Sequence, residues 1–378
     1  MAPTLITGRG LVTPLGACAR STWASLLAGR SITTHARACE SAGLPNDSNR
    51  IFDLAARAAE EAIRDAGWSR QMLSDDETAL VVGTSKGPIE NWLTALSHMS
   101  DATYVSAGEL WGLHEISTEL AARLGIRHSP RRTYASACAS GLHALIGACL
   151  LIRQGAARRA IVVAVESSLH PIFTASFARM GVMARDGCRP FDERRDGFVL
   201  SEAAAAVCLE TVPRRPAHVA IDRLSLAADP THLTGVDPSA QTLRHVIRTI
   251  LAGGPVDVVH AHGTGTDLND PAELAAIDDC LADVQPCQPD ERVPVYSHKA
   301  ALGHSLGAAG LVSVVLNVTM HEEGIIPPNA HTSRPLPSQR LQIANQPENR
   351  PISRSLALAA GFGGAVAGVS LRTCPNLT

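Results

Sequence analysis

The stretch VDVVHAHGTGTDLNDPAELAAI, residues 256–277, carries two folding signals end to end. Its valine-rich start suits a strand buried on both faces, as in parallel sheets. A Gly/Thr loop follows, and then a helix start with Asp270 as N-cap, Pro271 at N1 and Glu273 at N3, a capping-box variant. Capping alone would account for Glu273. A buried strand that passes directly into a capped helix is the repeating unit of an α/β protein.

The same alternation recurs along the chain. TALVVGTS (78–85) and AIVVAVES (160–167) read as buried strands, and TLITGRGLVT (4–13) as a strand followed by a turn. FDLAARAAEEAIRDA (52–66) reads as an amphipathic helix closed by Gly67. ETVPRRPAHVA (210–220) is the one candidate boundary, dividing the chain into residues 1–212 and 213–378. Each part ends in a strand rich in small residues, FVLSEAAAAVCLE and LALAAGFGGAVAGVSL, which points to an internal duplication.

Composition narrows the function classes. With 45% hydrophobic and 18% charged residues in 378, the chain can bury a large core. A formal charge of -3 and the lack of a basic tract with interleaved aromatics argue against nucleic acid. Nine irregularly spaced cysteines fit free thiols in a reducing compartment, hence the cytoplasm, and no secretory signal is evident. The apolar stretches 135–152 and 305–320 carry Ser, His or Gly and read as buried helices, not membrane spans.

RTYASACASGLHALIGACLLIRQG (132–155) puts Cys138 at a strand-to-helix turn. Leu142, Leu145, Ile146, Cys149 and Leu150 then follow the spacing of one helix face. At a helix N-terminus the unpaired N–H groups and the dipole favour a thiolate. The segment is equally compatible with a small buried thiol that only packs.

His262 falls at a strand's carboxyl end, where open α/β sheets place ligands, with Thr264 and Thr266 offering hydroxyls. His260 and His262 also form a His-x-His pair, without a further ligand at a recognisable metal spacing. In SHKAALGHSLGAAGLVSVVLNV (297–318), Lys299 sits in an unusually apolar loop and His304 precedes a helix whose dipole would keep its ring neutral. The charges of ARDGCRPFDERRDG (184–197) cancel, so this stretch reads as a self-paired loop belt.

Together these segments resemble the β-ketoacyl synthase family, the condensing enzymes of fatty-acid and polyketide synthesis. The similarity runs through LITGRGLVTPLG, SACASG, RPFDERRDGFVLSEAAA, HGTGT, KAALGHSLGAAG and GFGG, in the family's order along nearly the whole chain. The resemblance implies an α/β thiolase-like fold, two βαβαβαββ halves in five α-β-α-β-α layers. It implies Cys138 as nucleophile, His262 and His304 as the paired histidines, and Lys299 with Glu273 as a buried charged pair. Phe362 would gate the acyl pocket and share an oxyanion hole with the Cys138 N–H, while Thr264 and Thr266 would meet pantetheine.

No metal or other cofactor is implied, since the substrates ride on the phosphopantetheine of an acyl carrier protein. The implied assembly is a homodimer, or a heterodimer with a chain-length-factor subunit. Two departures stand out: Ser201-Glu202-Ala203-Ala204-Ala205 replaces the usual Gly-Glu-Gly-Ala-Gly, and Ala365-Val366 replaces Thr-Asn. The chain is also shorter than typical fatty-acid members between residues 86 and 130. These differences point to specialised type II polyketide or polyene synthesis. The alternatives are a catalytically inactive chain-length-factor-like partner and, from another class, a metal-binding or scaffolding protein.

Overall fold

The computed structural model describes residues 3–98, 112–127, 129–213, 215, 217–232, 235, 237–284 and 292–374. The expected shortening between residues 86 and 130 falls partly outside them. The first half runs β1 (Thr4–Val12), α1 (Arg50–Ala66), β2 (Thr78–Gly83), α2 (Glu115–Leu124) and β3 (Arg131–Tyr134). It continues with α3 (Ser140–Arg153), β4 (Arg159–Glu166), α4 (Pro171–Arg179) and β5 (Ala203–Glu210). The second half runs β6 (Val219–Ala228), α5 (Gln241–Leu251), β7 (Val258–His260), α6 (Asn269–Ala282) and β8 (Val293–Tyr296). It ends with α7 (Ala309–Glu323), β9 (Leu341–Gln342), β10 (Arg354–Gly361) and β11 (Ala365–Thr373).

The strands pair in the order β9-β8-β7-β10-β11-β6-β1-β5-β4-β2-β3. Outward from the centre, each half repeats one pattern. Its first strand pairs antiparallel with its last, the last antiparallel with the penultimate, and the next two additions are parallel. The halves join through the short pairing of Thr4, Leu5 and Ile6 with Ile221, Ala220 and Val219. This is the duplicated topology of a thiolase-like fold.

Alternation along the strands builds the layers. Leu80, Val82, Ile161 and Val163 face α1 and α2 on one outside, whereas Val81, Val162 and Ala164 face inward onto α3 and α7. From the other wing Ala357, Ala359 and Val369 reach the same two central helices, while Leu356 and Leu358 point out to α5 and α6. The result is α-β-α-β-α, with α3 and α7 in the middle. Because both central helices are enclosed, α3 buries more than one stripe: Ala144 and Ala148 are inside as well as Leu142, Leu145, Ile146 and Cys149. Leu150, expected on the same face, is instead 45% exposed.

α1 begins two residues before the predicted segment and ends on Gly67, whose φ of 68° lies in the left-handed region that favours glycine at a helix end. β1 continues through the expected turn, because Gly8 and Gly10 let α1 press against the strand. No helix among the described residues is long and apolar enough to cross a membrane.

Where α3 crosses α7, Gly141 lies so close that a Cβ there would sit 2.8 Å from the Leu311 backbone nitrogen. Backbone cannot swing away as a side-chain tip can. Gly141→Val is therefore expected to lower stability by about 1–3 kcal/mol, measured as a shift in the urea midpoint at unchanged slope.

Candidate active site

Cys138 lies in the turn that joins β3 to α3, just ahead of the helix start at Ser140. Ala137 before it is held at φ 46°, a left-handed conformation strained for any residue with a side chain. Ser140 keeps it there. Its hydroxyl donates to the Ala137 carbonyl at 2.6 Å and accepts the Ser136 N–H at 2.9 Å. The end of β10 closes over the same turn: a Cβ on Gly361 would lie 3.0 Å from the Cys138 nitrogen.

β7 ends at His260, so His262 stands in the loop beyond it. Glu273 accepts the N–H groups of His262 (2.6 Å) and Gly263 (2.8 Å). Asp270 accepts those of Thr264 and Gly265, each at 3.1 Å, and of Phe191 at 2.7 Å. Lys299, in the turn after β8, donates to the His262 carbonyl.

Two expectations change here. Asp270 is inside α6 and does not cap it; the N-cap position belongs to Leu268, and both acids serve the histidine loop instead. Lys299 and Glu273 form no direct ion pair among the described residues; they grip the two ends of one residue, His262.

His304 is strapped to the Phe198–Ser201 segment, its N–H donating to the Val199 carbonyl at 2.7 Å and its carbonyl accepting the Ser201 N–H at 3.1 Å. The Phe198 ring meets it edge-on with centroids 5.1 Å apart. The His262 and His304 rings lie 5.7 Å apart at 81°. A 3₁₀ turn, Leu306–Ala308, separates His304 from α7. Burial, with no need of a helix dipole, holds its ring neutral.

Desolvation dominates the electrostatics. It pushes the His262 and His304 pKa values well below the ordinary histidine value, and the nearby Lys299 charge adds to this. It also pushes the Cys138 thiol up to about 11, against the opposing pull of Lys299 and then Lys86. Cys138 therefore rests as a thiol, whereas its place at a helix N-terminus favours a thiolate. Burial raises Glu273 and Asp270 against their N–H donors, and lowers Lys299 against the attraction of Glu273.

Cys138, His262, His304, Glu273, Thr264, Thr266 and Phe362 line one cavity of about 350 Å³, walled by Phe177 and Phe198. Lys299 lies behind His262, outside that lining. Phe362 is 38% exposed, with its ring 6.4 Å from Phe177 at the rim. Thr264 and Thr266 share a hydroxyl hydrogen bond of 2.9 Å.

The His-x-His pair separates: His260 bonds Asn317 (2.7 Å) and His298 (2.9 Å) in the core, away from His262. The arginine belt pairs with itself, as between Arg189 and Asp186 at 2.8 Å. Sequence reading missed Glu166, which accepts from Ser85, Ser168 and Gly307 and so ties the ends of β2 and β4 to the turn after His304. A single acid at the carboxyl end of an apolar strand was the available signal.

Residues 45–214 match the family model described as Beta-ketoacyl synthase, N-terminal domain, and residues 219–333 its C-terminal domain. A 3-oxoacyl-(acyl-carrier-protein) synthase 2 of Mycobacterium bovis is 33% identical over 304 residues, covering 75% of this chain and 71% of that protein. The tetracenomycin polyketide synthase ketoacyl synthase alpha subunit of Streptomyces glaucescens is 28% identical, covering 95% and 94%. Among solved structures, the ishigamide ketosynthase/chain length factor superposes with a TM-score of 0.86 at 26% identity, covering 99% of this chain and 100% of that one.

A thiol at about 11 has a defined pH signature. Iodoacetamide labelling of Cys138 is expected to be slow at neutral pH and to rise about tenfold per pH unit as the thiolate fraction grows. Intact mass of wild type against Cys138→Ala isolates that site. A rate already flat at neutral pH would show a thiolate at rest.

Proposed function

The chain belongs to the beta-ketoacyl synthase family, and we propose that it is a catalysing member, joining an acyl group held on Cys138 to a malonyl unit delivered by an acyl carrier protein. One observation carries this reading: Cys138, His262 and His304 open onto the same cavity, with the two imidazole rings 5.7 Å apart. We assign the chain to specialised type II polyketide or polyene synthesis, on the sequence departures noted above and the polyketide relative.

In the first half-reaction Cys138 attacks the carrier thioester. The thiol proton passes to the departing carrier thiolate, and a covalent acyl enzyme replaces one difficult condensation with two easier steps. The Cys138 and Phe362 N–H groups would hold the oxyanion, a role supported by the contact of Gly361 on the Cys138 turn. In the second, malonyl thioester loses carbon dioxide. His262 and His304, neutral through burial, would donate hydrogen bonds to its thioester oxygen as the enolate forms. Such a donor contributes about 2.7–4 kcal/mol. The carbanion then attacks the acyl-Cys138 carbonyl, and a proton restores the thiol.

In this reading Lys299 and Glu273 position His262 without touching substrate. Thr264 and Thr266 sit on the cavity wall where a pantetheine arm would pass, and Phe362 at its rim suits a gate. No metal or redox cofactor takes part in the proposed chemistry. The protein works as a homodimer or with a chain-length-factor subunit, in the reducing cytoplasm.

Mixing the protein with acyl-carrier thioesters is expected to add one acyl mass to wild type and none to Cys138→Ala, read by intact mass spectrometry. His304→Ala should retain the acyl adduct while losing about 10²–10³-fold in condensation, since it removes an enolate donor and leaves the nucleophile. Wild type that takes no acyl group would instead identify the chain as a non-catalysing partner subunit.

A further inference from the structure

Lys86 has no part in the chemistry above and lies outside the cavity lining, yet it sits over a ring of the apolar cluster against which Cys138 also packs. It follows β2 in a turn made by Gly87 at φ 67°. Its Nζ lies 5.3 Å from the centroid of the Phe173 ring. Phe173 belongs with Leu169, Phe177 and Cys138 itself to one apolar cluster. After Lys299, Lys86 is the strongest charge favouring the Cys138 thiolate.

Among the described residues its ammonium makes no ion pair and no hydrogen bond; Phe173 is its sole contact of that kind. The acid beside it, Glu166, is taken up by Ser85, Ser168 and Gly307. A half-buried lysine facing an aromatic ring keeps only part of the interaction it would have with water or an anion. An alkyl group filling this cluster would strip still more water from the ammonium and give nothing in return. A group with oxygen acceptors would pair with it.

Resting on the acyl-enzyme reading, we propose that Lys86 selects the acyl group loaded onto Cys138, and that this group carries a carboxylate or enolisable carbonyl oxygen along its chain. In loading, the carbon–sulfur bond to the carrier breaks, a carbon–sulfur bond to Cys138 Sγ forms, and the thiol proton leaves with the carrier thiolate. Lys86 exchanges no proton. It acts through charge and hydrogen bonding alone.

The test uses matched acyl-pantetheine donors of equal length, an alkanoyl thioester against dicarboxylic and oxo-substituted thioesters, over a series of increasing chain length. Rates of Cys138 acylation are read by intact mass. Wild type is expected to favour the oxygenated donors by about tenfold or more, the scale of a hydrogen bond to a charged group. Lys86→Met should bring that ratio close to one, and Lys86→Arg should keep most of it. Wild type that loads alkanoyl donors as readily overturns the inference while leaving the acyl enzyme intact. So does a Lys86→Met variant that slows every donor by one factor, since that reports only on thiol ionisation. Wild type that accepts no donor overturns the acyl-enzyme reading and this inference with it.

Discussion

The peptide unit of His262 is held from both sides, its N–H by the Glu273 carboxylate and its carbonyl by the Lys299 ammonium. Both charged groups are buried to within 1% of full enclosure. Taking an ion out of water costs several kcal/mol, so neither is tolerable alone. Here each is met by backbone groups of the loop it fixes, and Glu273 also meets Gly263 and Asn269. The arrangement sets position and protonation together. It aims His262 at the cavity, and the Lys299 charge adds to the burial that keeps His262 and His304 from becoming imidazolium.

The fold brings these pieces to one place because parallel strands share a direction. Ser85 follows β2, Cys138 follows β3 and Glu166 ends β4; in the other wing His262 follows β7, Lys299 follows β8 and Phe362 follows β10. Two copies of one topology, packed on the shared helices α3 and α7, therefore direct six carboxyl ends toward a common cavity. The close approach of Gly141 to α7 sets how near the cysteine turn lies to the His304 turn. Glu166 ties the His304 turn to the ends of β2 and β4, through Gly307, Ser85 and Ser168.

Much of this was legible in the chain. Strand-like valine runs, the Gly67 helix end and the order of the short motifs lead to the fold, and the motifs themselves single out Cys138, His262 and His304. Illegible were matters that depend on distant segments. The sequence of 256–277 offers Asp270 and Glu273 as helix caps, and only the folded loop shows their oxygens turned to backbone N–H groups ahead of the helix. The thiol was expected to ionise from its place before α3. The enclosure by Phe177, Phe198 and Leu306 that outweighs the dipole comes from segments remote in sequence. Leu150 failed for a simpler reason: helical spacing identifies a stripe, but α3 is covered by neighbours whose positions the stripe does not contain.

The two departures from the family pattern separate once placed in the fold. Ala203 and Ala205, at the two β5 positions where the pattern has glycine, both face the inner core, so their methyl groups add packing where glycine would leave gaps. Glu202, just before them, keeps a structural task by accepting from Arg50, Arg37 and the Ala38 N–H. Ala365 and Val366 open β11 directly after the Phe362 loop, paired with Ala228 and Ala227, and Val366 lines the cavity with Ala240, Leu243 and Ala272. An asparagine here would put a polar side chain on that wall; valine makes it apolar. Lys86 puts a charge over the Phe173 ring, outside the cavity lining. The departures thus fall in the strand core and on one apolar stretch of cavity wall, and leave Cys138, His262 and His304 facing the same cavity.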